Sequence, residues 1–177
     1  GDWRDARWID LDGVDNPYED MRYRGHRAGA AYVSRGEGIR FADGDVYFAA
    51  TSGGPSGYGQ ILRYRPSPAE GQPGEKDAPA RLQLFCEPHD PKLMEMCDNI
   101  TVSPMGHVIV CEDKSGGGEN FLRGVTPDGR IYTIARQPGG TELAGVCFSP
   151  DGTTLFLNAY FPGTTLAITG PWARFRA

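Results

Sequence analysis

The chain has 177 residues, 39% of them hydrophobic, and a formal net charge of −5. That length supports one domain with its own core, and the acidic balance speaks against a nucleic-acid surface, which needs a basic patch. No run of about 18 apolar residues occurs, so no membrane span is expected, and the start, Gly1-Asp2-Trp3-Arg4, lacks the charged-then-apolar order of a signal peptide.

Gly (25) and Pro (14) are abundant, which suits many short strands joined by tight turns. Residues 1–34 are polar and mixed. Trp3, Trp8 and Tyr18 are candidate anchors there, a short strand is expected over 7–11, and no helical period is visible, so the segment reads as an N-terminal extension or edge strand. From residue 35 onward strands are expected at 39–41, 46–49, 60–64 and 81–86, with a hairpin turn at Asp43-Gly44 and an exposed Pro/Gly-rich loop over 67–80. Residues 89–96 read as a short helical turn or an irregular loop. A second group of strands falls at 100–102, 108–111, 122–125 and 130–135. A third falls at 146–148, 155–157 and 166–168, with no fourth strand before the end.

The turns repeat. Ser103-Pro104-Met105-Gly106, Thr126-Pro127-Asp128-Gly129 and Ser149-Pro150-Asp151-Gly152 recur every 23 residues, with Pro setting φ early in the turn and Gly accepting the left-handed conformation at its end. Two such hairpins make one four-stranded unit of propeller-blade size. The fold class is therefore all-β: about three four-stranded antiparallel blades over residues 35–177, part of a larger β-propeller. Three blades do not close a ring, so further chain or partner subunits are expected to complete it.

Aligning the units on Ile39, Ile100 and Val146 sets Glu37, Asp98 and Ala144 at one position, with Glu142 two residues earlier and hence on the same face of an extended chain. First strands line a propeller's channel, so these acids are expected at one mouth, and Glu112 and Asp113 return to the same rim. Carboxylates about 4 Å apart repel by roughly 4 kcal/mol at an effective dielectric near 20. Such a cluster calls for protons, arginines or a metal, and oxygen-only donors select a hard cation, Ca²⁺ first. The alternative is that each acid caps a turn or faces solvent. Arg35, two residues before Glu37, points the same way: its fork suits a phosphate, or else a plain surface pair. Cys86, Cys97, Cys111 and Cys147 form no C-x-x-C pair; Cys97, beside Asp98, is the one expected to face a polar site. His107 is expected in a solvated turn.

Taken as a set, Arg35-Gly36-Glu37-Gly38, Ala50-Thr51-Ser52-Gly53-Gly54, Asp98-Asn99-Ile100-Thr101-Val102-Ser103-Pro104, Cys111-Glu112-Asp113, the run from Glu142 to Gly152, and Ala167-Ile168-Thr169-Gly170-Pro171-Trp172 resemble the PhoX family of bacterial alkaline phosphatases and its domain-of-unknown-function relatives. The resemblance implies a six-bladed propeller with calcium and iron at the channel mouth, hydrolysing phosphate esters after export to the periplasm or beyond. It implies that Arg35 contacts phosphate, that Glu37 is catalytic and binds metal, and that Asp98, Glu142 and Glu112 are further metal ligands. The family's upstream half, with a Cys-Glu-Glu-like iron motif, has no counterpart here, and Cys111 is not given that role. The other expectation is a non-catalytic PhoX-like propeller subunit in a larger assembly.

Overall fold

A computed structural model describes residues 1–114 and 118–174. Its strands form three antiparallel sheets. The first has the order β1-β5-β4-β3-β2, from β1 (Trp3–Ala6), β2 (Gly36–Ala42), β3 (Asp45–Ala50), β4 (Gln60–Arg65) and β5 (Ala80–Cys86). The second runs β6 (Cys97–Val102), β7 (Val108–Glu112), β8 (Asn120–Val125), β9 (Ile131–Gln137), and the third β10 (Leu143–Phe148), β11 (Thr154–Ala159), β12 (Thr164–Thr169). The all-β, blade-like reading thus stands, with five, four and three strands in the successive sheets.

The repeated turns are the devices the sequence indicated. Gly106, Gly129 and Gly152 each donate to the residue three back, Ser103, Thr126 and Ser149, at 2.8–2.9 Å. At the β2–β3 hairpin Asp43 and Gly44 both take positive φ, +51° and +82°, as a two-residue primed turn requires.

The core lies between the sheets. Tyr47, Ala49, Ile61 and Cys86 of the first sheet meet Cys97, Ile100, Val108, Val110 and Val125 of the second, with Met94 filling the gap. Ile109, Cys111 and Leu122 on the other side of the second sheet meet Leu143, Val146, Leu155, Leu157 and Trp172. β7 is buried at every position because alternate side chains enter different cores, which is why its sequence reads Val-Ile-Val-Cys without alternation. The outer sheets lack this two-sided cover: Ile39 and Phe41 on β2, and Phe156 and Leu166 in the third sheet, are exposed.

The innermost strands β2, β6 and β10 carry the same irregularity. Between Gly36 and Ile39, Cys97 and Ile100, and Ala144 and Cys147, three steps on one strand face two on its partner, so each holds a β-bulge with one extra residue. This corrects the alignment drawn from sequence. Ile39, Ile100 and Cys147 follow the bulge, and the position matching Glu37 and Asp98 is Gly145, not Ala144. Val146 is the apolar residue in view, but it sits inside the bulge, so apolar spacing alone misplaces the register by one. Glu142 therefore is not two strand steps from the equivalent position. It precedes β10, and its carbonyl accepts from Tyr160 N at 3.0 Å.

The first 34 residues depart further from expectation. The strand is Trp3–Ala6, paired to the outer edge of β5, rather than 7–11. The Trp3 ring lies beneath the guanidinium groups of Arg63, Arg65 and Arg81 at 4.7–5.4 Å, which fixes the strand there. A helix, α1 (Met21–Arg27), forms where no period was visible; seven residues are two turns, too few to display one. Arg24 holds it by bonding Asp20 and the carbonyls of Asp12 and Gly13. No helix among the described residues is long and apolar enough to cross a membrane.

Sheets one and two approach closely at Gly38, where an added Cβ would lie 2.6–2.7 Å from Asp98 O, Ile100 N and Asn99 Cα. Gly38→Ala is expected to destabilise the fold by about 1–3 kcal/mol, since backbone cannot step aside as a flexible side chain would. Urea denaturation checks this, and a midpoint unchanged from the parent would contradict it.

Candidate active site

The bulges decide which acids gather. Glu37 and Asp98 occupy matching bulge positions on β2 and β6, Asp113 directly follows β7, and Glu142 directly precedes β10. Asp98 is 5% exposed. Burial raises its pKa first, the charges of Glu37, Glu142 and Asp113 follow in that order, and a hydrogen bond with Glu37 adds to them; together they push it up to about 7. Glu37, Asp98 and Glu142 were expected at one mouth, with Glu112 and Asp113 returning to the same rim; of that pair it is Asp113, not named there as a ligand, whose charge reaches Asp98.

Arg35 stands two residues before Glu37, and Met96 two before Asp98. Both have left-handed φ, +52° and +56°, a conformation uncommon in residues with a Cβ. Their carbonyls accept from Thr51 N and Asp113 N at 2.9 Å, so each kinked residue ties the start of its sheet to the end of the next strand. The Arg35 side chain then reaches across to the second sheet, 3.4 Å from Asp113 Oδ2. Its partner is Asp113, and not the neighbouring Glu37 of the plain surface pair that was the alternative to a phosphate.

Glu112 has a different setting. It is fully buried, and its two oxygens accept from Arg123 Nε (2.9 Å), Phe121 N (3.1 Å) and Glu95 N (3.2 Å), with Lys114 Nζ at 3.1 Å. Arg123 is itself buried and donates onward to Lys92 O at 3.0 Å. Glu112 is thus committed to clamping the 89–96 loop onto the second sheet. Its neighbour Asp113 faces the acid cluster, because consecutive residues of an extended chain point to opposite sides. That alternation was the signal for preferring Asp113.

The donors are carboxylates alone, the chemistry of a hard cation. As placed, no group of three His, Cys, Asp or Glu side chains among the described residues is arranged to hold a metal ion. The acids meet through their charges, not as a finished cage.

The sequence matches the family profile of alkaline phosphatase PhoX over residues 2–163. The chain belongs to the PhoX family. No curated protein matches it. Among solved structures it is similar to Pseudomonas fluorescens PhoX in complex with vanadate, a transition state analogue, at 24% sequence identity and a TM-score of 0.61, over 82% of this chain and 35% of that one. The likeness is one of fold, and this chain spans about a third of that protein's length.

Two further expectations about this PhoX-family chain are corrected. Cys97 does not face a polar site: it is fully buried in the first core, its thiol directed at Gln60 O (3.4 Å) and Ala50 O (3.9 Å). The exposed cysteine is Cys147. His107 is not solvated but 3% exposed, with Nδ1 2.7 Å from the Tyr132 hydroxyl.

Two measurements follow. Folded Asp98 keeps its proton up to about pH 7, whereas the ordinary value is 3.8. Folding therefore takes up a proton between those values, and stability falls as pH rises from about 4 to about 7. In chelator-treated protein, Asp98→Asn should raise the melting temperature at pH 8 and leave it nearly unchanged at pH 4; equal effects at both would contradict the shift. Glu112→Gln removes the counter-charge of a buried arginine and should cost about 3–5 kcal/mol in chemical denaturation. A loss under 1 kcal/mol would mean that the clamp is not structural.

Proposed function

We propose that this chain supplies part of the active centre of a metal-dependent phosphomonoesterase of the PhoX type. Glu37, Asp98 and Glu142 would hold calcium, and Arg35 would contact the phosphate. The observation that carries this reading is the buried Asp98 carboxyl pushed up to about 7 among three other acids. Such a cluster is costly to assemble for stability alone, and strongly perturbed carboxyls in a shared site are a mark of function. When bound, a divalent cation supplies charge neutralisation, a fixed orientation for the phosphoryl group and a more acidic water.

The chain's own residues have definite work. Glu37 and Asp98, on matching bulges, present carboxylates from adjacent sheets. Arg35 is half exposed and tethered at a single nitrogen, so the rest of its fork remains for phosphoryl oxygens, where it would stabilise charge gathering in the transition state. Asp113 restrains that guanidinium and keeps it over the cluster. Iron, which the resemblance also implied, has no fitting thiolate among Cys86, Cys97 and Cys111: burial pushes them up to about 11, 12 and 12, and no step is assigned to iron. The substrate would be a phosphate ester, and export to the periplasm or beyond belongs to the same proposal.

A second reading is favoured by the exposed Ile39, Phe41, Phe156 and Leu166 on the open sheet faces. On that reading the chain is a non-catalytic propeller part whose faces pack against further blades or a partner.

Calorimetric titration with Ca²⁺ and hydrolysis of p-nitrophenyl phosphate, with and without chelator, separate the two. Glu37→Gln is expected to weaken ion binding roughly tenfold or more and to lower turnover at least as far. Unchanged binding and turnover would remove Glu37 from the site. Calcium binding with no turnover in the parent would favour the second reading.

A further inference from the structure

Asn99 and Asn120 belong to the second sheet, yet each directs its amide to the backbone of the segment that carries Glu142. Asn99 is the extra residue of the β6 bulge. Its Oδ1 accepts from Gly145 N at 2.5 Å, and its Nδ2 donates to Asp98 Oδ1 at 3.4 Å. Gly145 is the matching bulge position on β10, held at φ +62°, and an added Cβ there would lie 2.5 Å from Asn158 Nδ2. The bond therefore joins two irregular points of backbone that ladder pairing leaves open.

Asn120, the first residue of β8, is fully buried. Its Oδ1 accepts from Lys114 N at 2.8 Å, and its Nδ2 donates to Thr141 O at 3.0 Å. Lys114 follows Asp113, and Thr141 precedes Glu142. One amide thus joins the exit of β7, where Asp113 stands, to the entry of β10, where Glu142 stands. Glu142 lies between two backbone points, Thr141 and Gly145, that the second sheet fixes through side-chain amides. Apolar contacts at Leu143 and Val146 pack β10 against the second sheet and Tyr160 N bonds Glu142 O within the third; the two amides add directional bonds from the second sheet on either side of Glu142.

We propose that Asn99 and Asn120 are the positioning residues that hold Glu142 opposite Asp98 and Asp113 and so set the separation of the carboxylates. The role rests on the acid cluster read above as the metal site. A primary amide suits it: it donates and accepts at once, and it brings no charge into a cluster already crowded with negative ones. An aspartate would add a fifth acid, and an alanine would leave Gly145 N or Thr141 O without its bond. Neither asparagine need touch substrate or ion.

The test uses Asn99→Ala and Asn120→Ala, the latter removing the bonds to Lys114 N and Thr141 O without adding a charge. Calcium affinity, read by displacement of luminescent Tb³⁺, should fall about fivefold or more in each, and combination with Glu142→Gln should give no further loss. Phe148→Leu, which loosens packing on Trp172, serves as the control for general destabilisation of the third sheet. An equal fall in that control would reduce the asparagines to ordinary structural residues. A second arm needs no metal. In chelated protein at pH 8, Asp98→Asn should raise the melting temperature of the parent, and by less than half as much in the background of Asn120→Ala, which removes no bond to Asp98, because the acids are then free to drift apart. Additive shifts would overturn the proposal whether or not calcium binds. Coupled shifts in a parent that binds no calcium would instead remove the metal reading and keep the positioning role.

Discussion

The structure turns on how near the innermost strands of neighbouring sheets come to one another. At Gly38 the first sheet lies against the backbone of residues 98–100, with no room for a single added carbon. Strands this close cannot run as plain ladders past each other. Each instead carries a bulge that takes one residue out of the pairing. The bulge re-aims the residue it releases and sharpens the local twist, so the device that lets the sheets fan out also turns Glu37 and Asp98 toward shared space. Gly38 and Asn99 are the matching residues just after those acids and serve the packing in opposite ways. One makes room by having no side chain, and the other reaches over with an amide.

Behind the cluster the second sheet is buried on both faces, and there the chain treats charge quite differently. Glu112 sits one residue from Asp113, yet it is met by Arg123, Lys114 and two backbone N–H groups. This is the full complement that makes a buried carboxylate tolerable. The contrast within two consecutive residues separates a charge-matched acid from one in a repelling cluster better than burial does, since Glu112 is the more buried of the pair. A satisfied ion pair anchors the loop leading into Asp98, while the acids in front of it keep their mutual repulsion.

Much of this was legible in the sequence because it depends on short-range rules. The three Pro/Gly turns, the Asp-Gly hairpin and the strand runs from residue 39 onward are local statements about φ and side-chain alternation, and the structure has them where they were expected. The pairing of Glu37 with Asp98 followed from the repeat, whereas Glu142 was joined to them through an alignment one residue out of register. What escaped depends on things a repeat does not encode. The bulge on β10 moves the matching position from Ala144 to Gly145, and no apolar spacing marks a bulge. The pairing of Glu112 with Arg123 depends on a side-chain contact between adjacent strands. Cys97 was assigned by its neighbour in sequence, although neighbours in a strand face opposite ways. His107 was assigned by its turn, although the Tyr132 ring closes over it. The helix α1 rests on one arginine reaching back 12 residues to Asp12, which no local period announces.

The repulsion around Asp98 admits few resolutions. Arg35 is exposed and only 3.4 Å from Asp113, so it offsets part of the charge at the rim. Lys114 is committed to Glu112. The remaining excess falls on the least solvated member of the cluster, Asp98, and the first resolution is a proton held there to about pH 7. The second is a cation, which our proposed function places among the same oxygens. The two exclude each other, because a carboxyl that binds a cation releases its proton to solvent. A fold that keeps an acid poised between them holds its ligands ready at modest cost while the ion is away. On the proposed reading, the bulges and the two asparagines limit how far the acids can retreat from one another, and that restraint would distinguish a prepared site from a chance patch of negative charge.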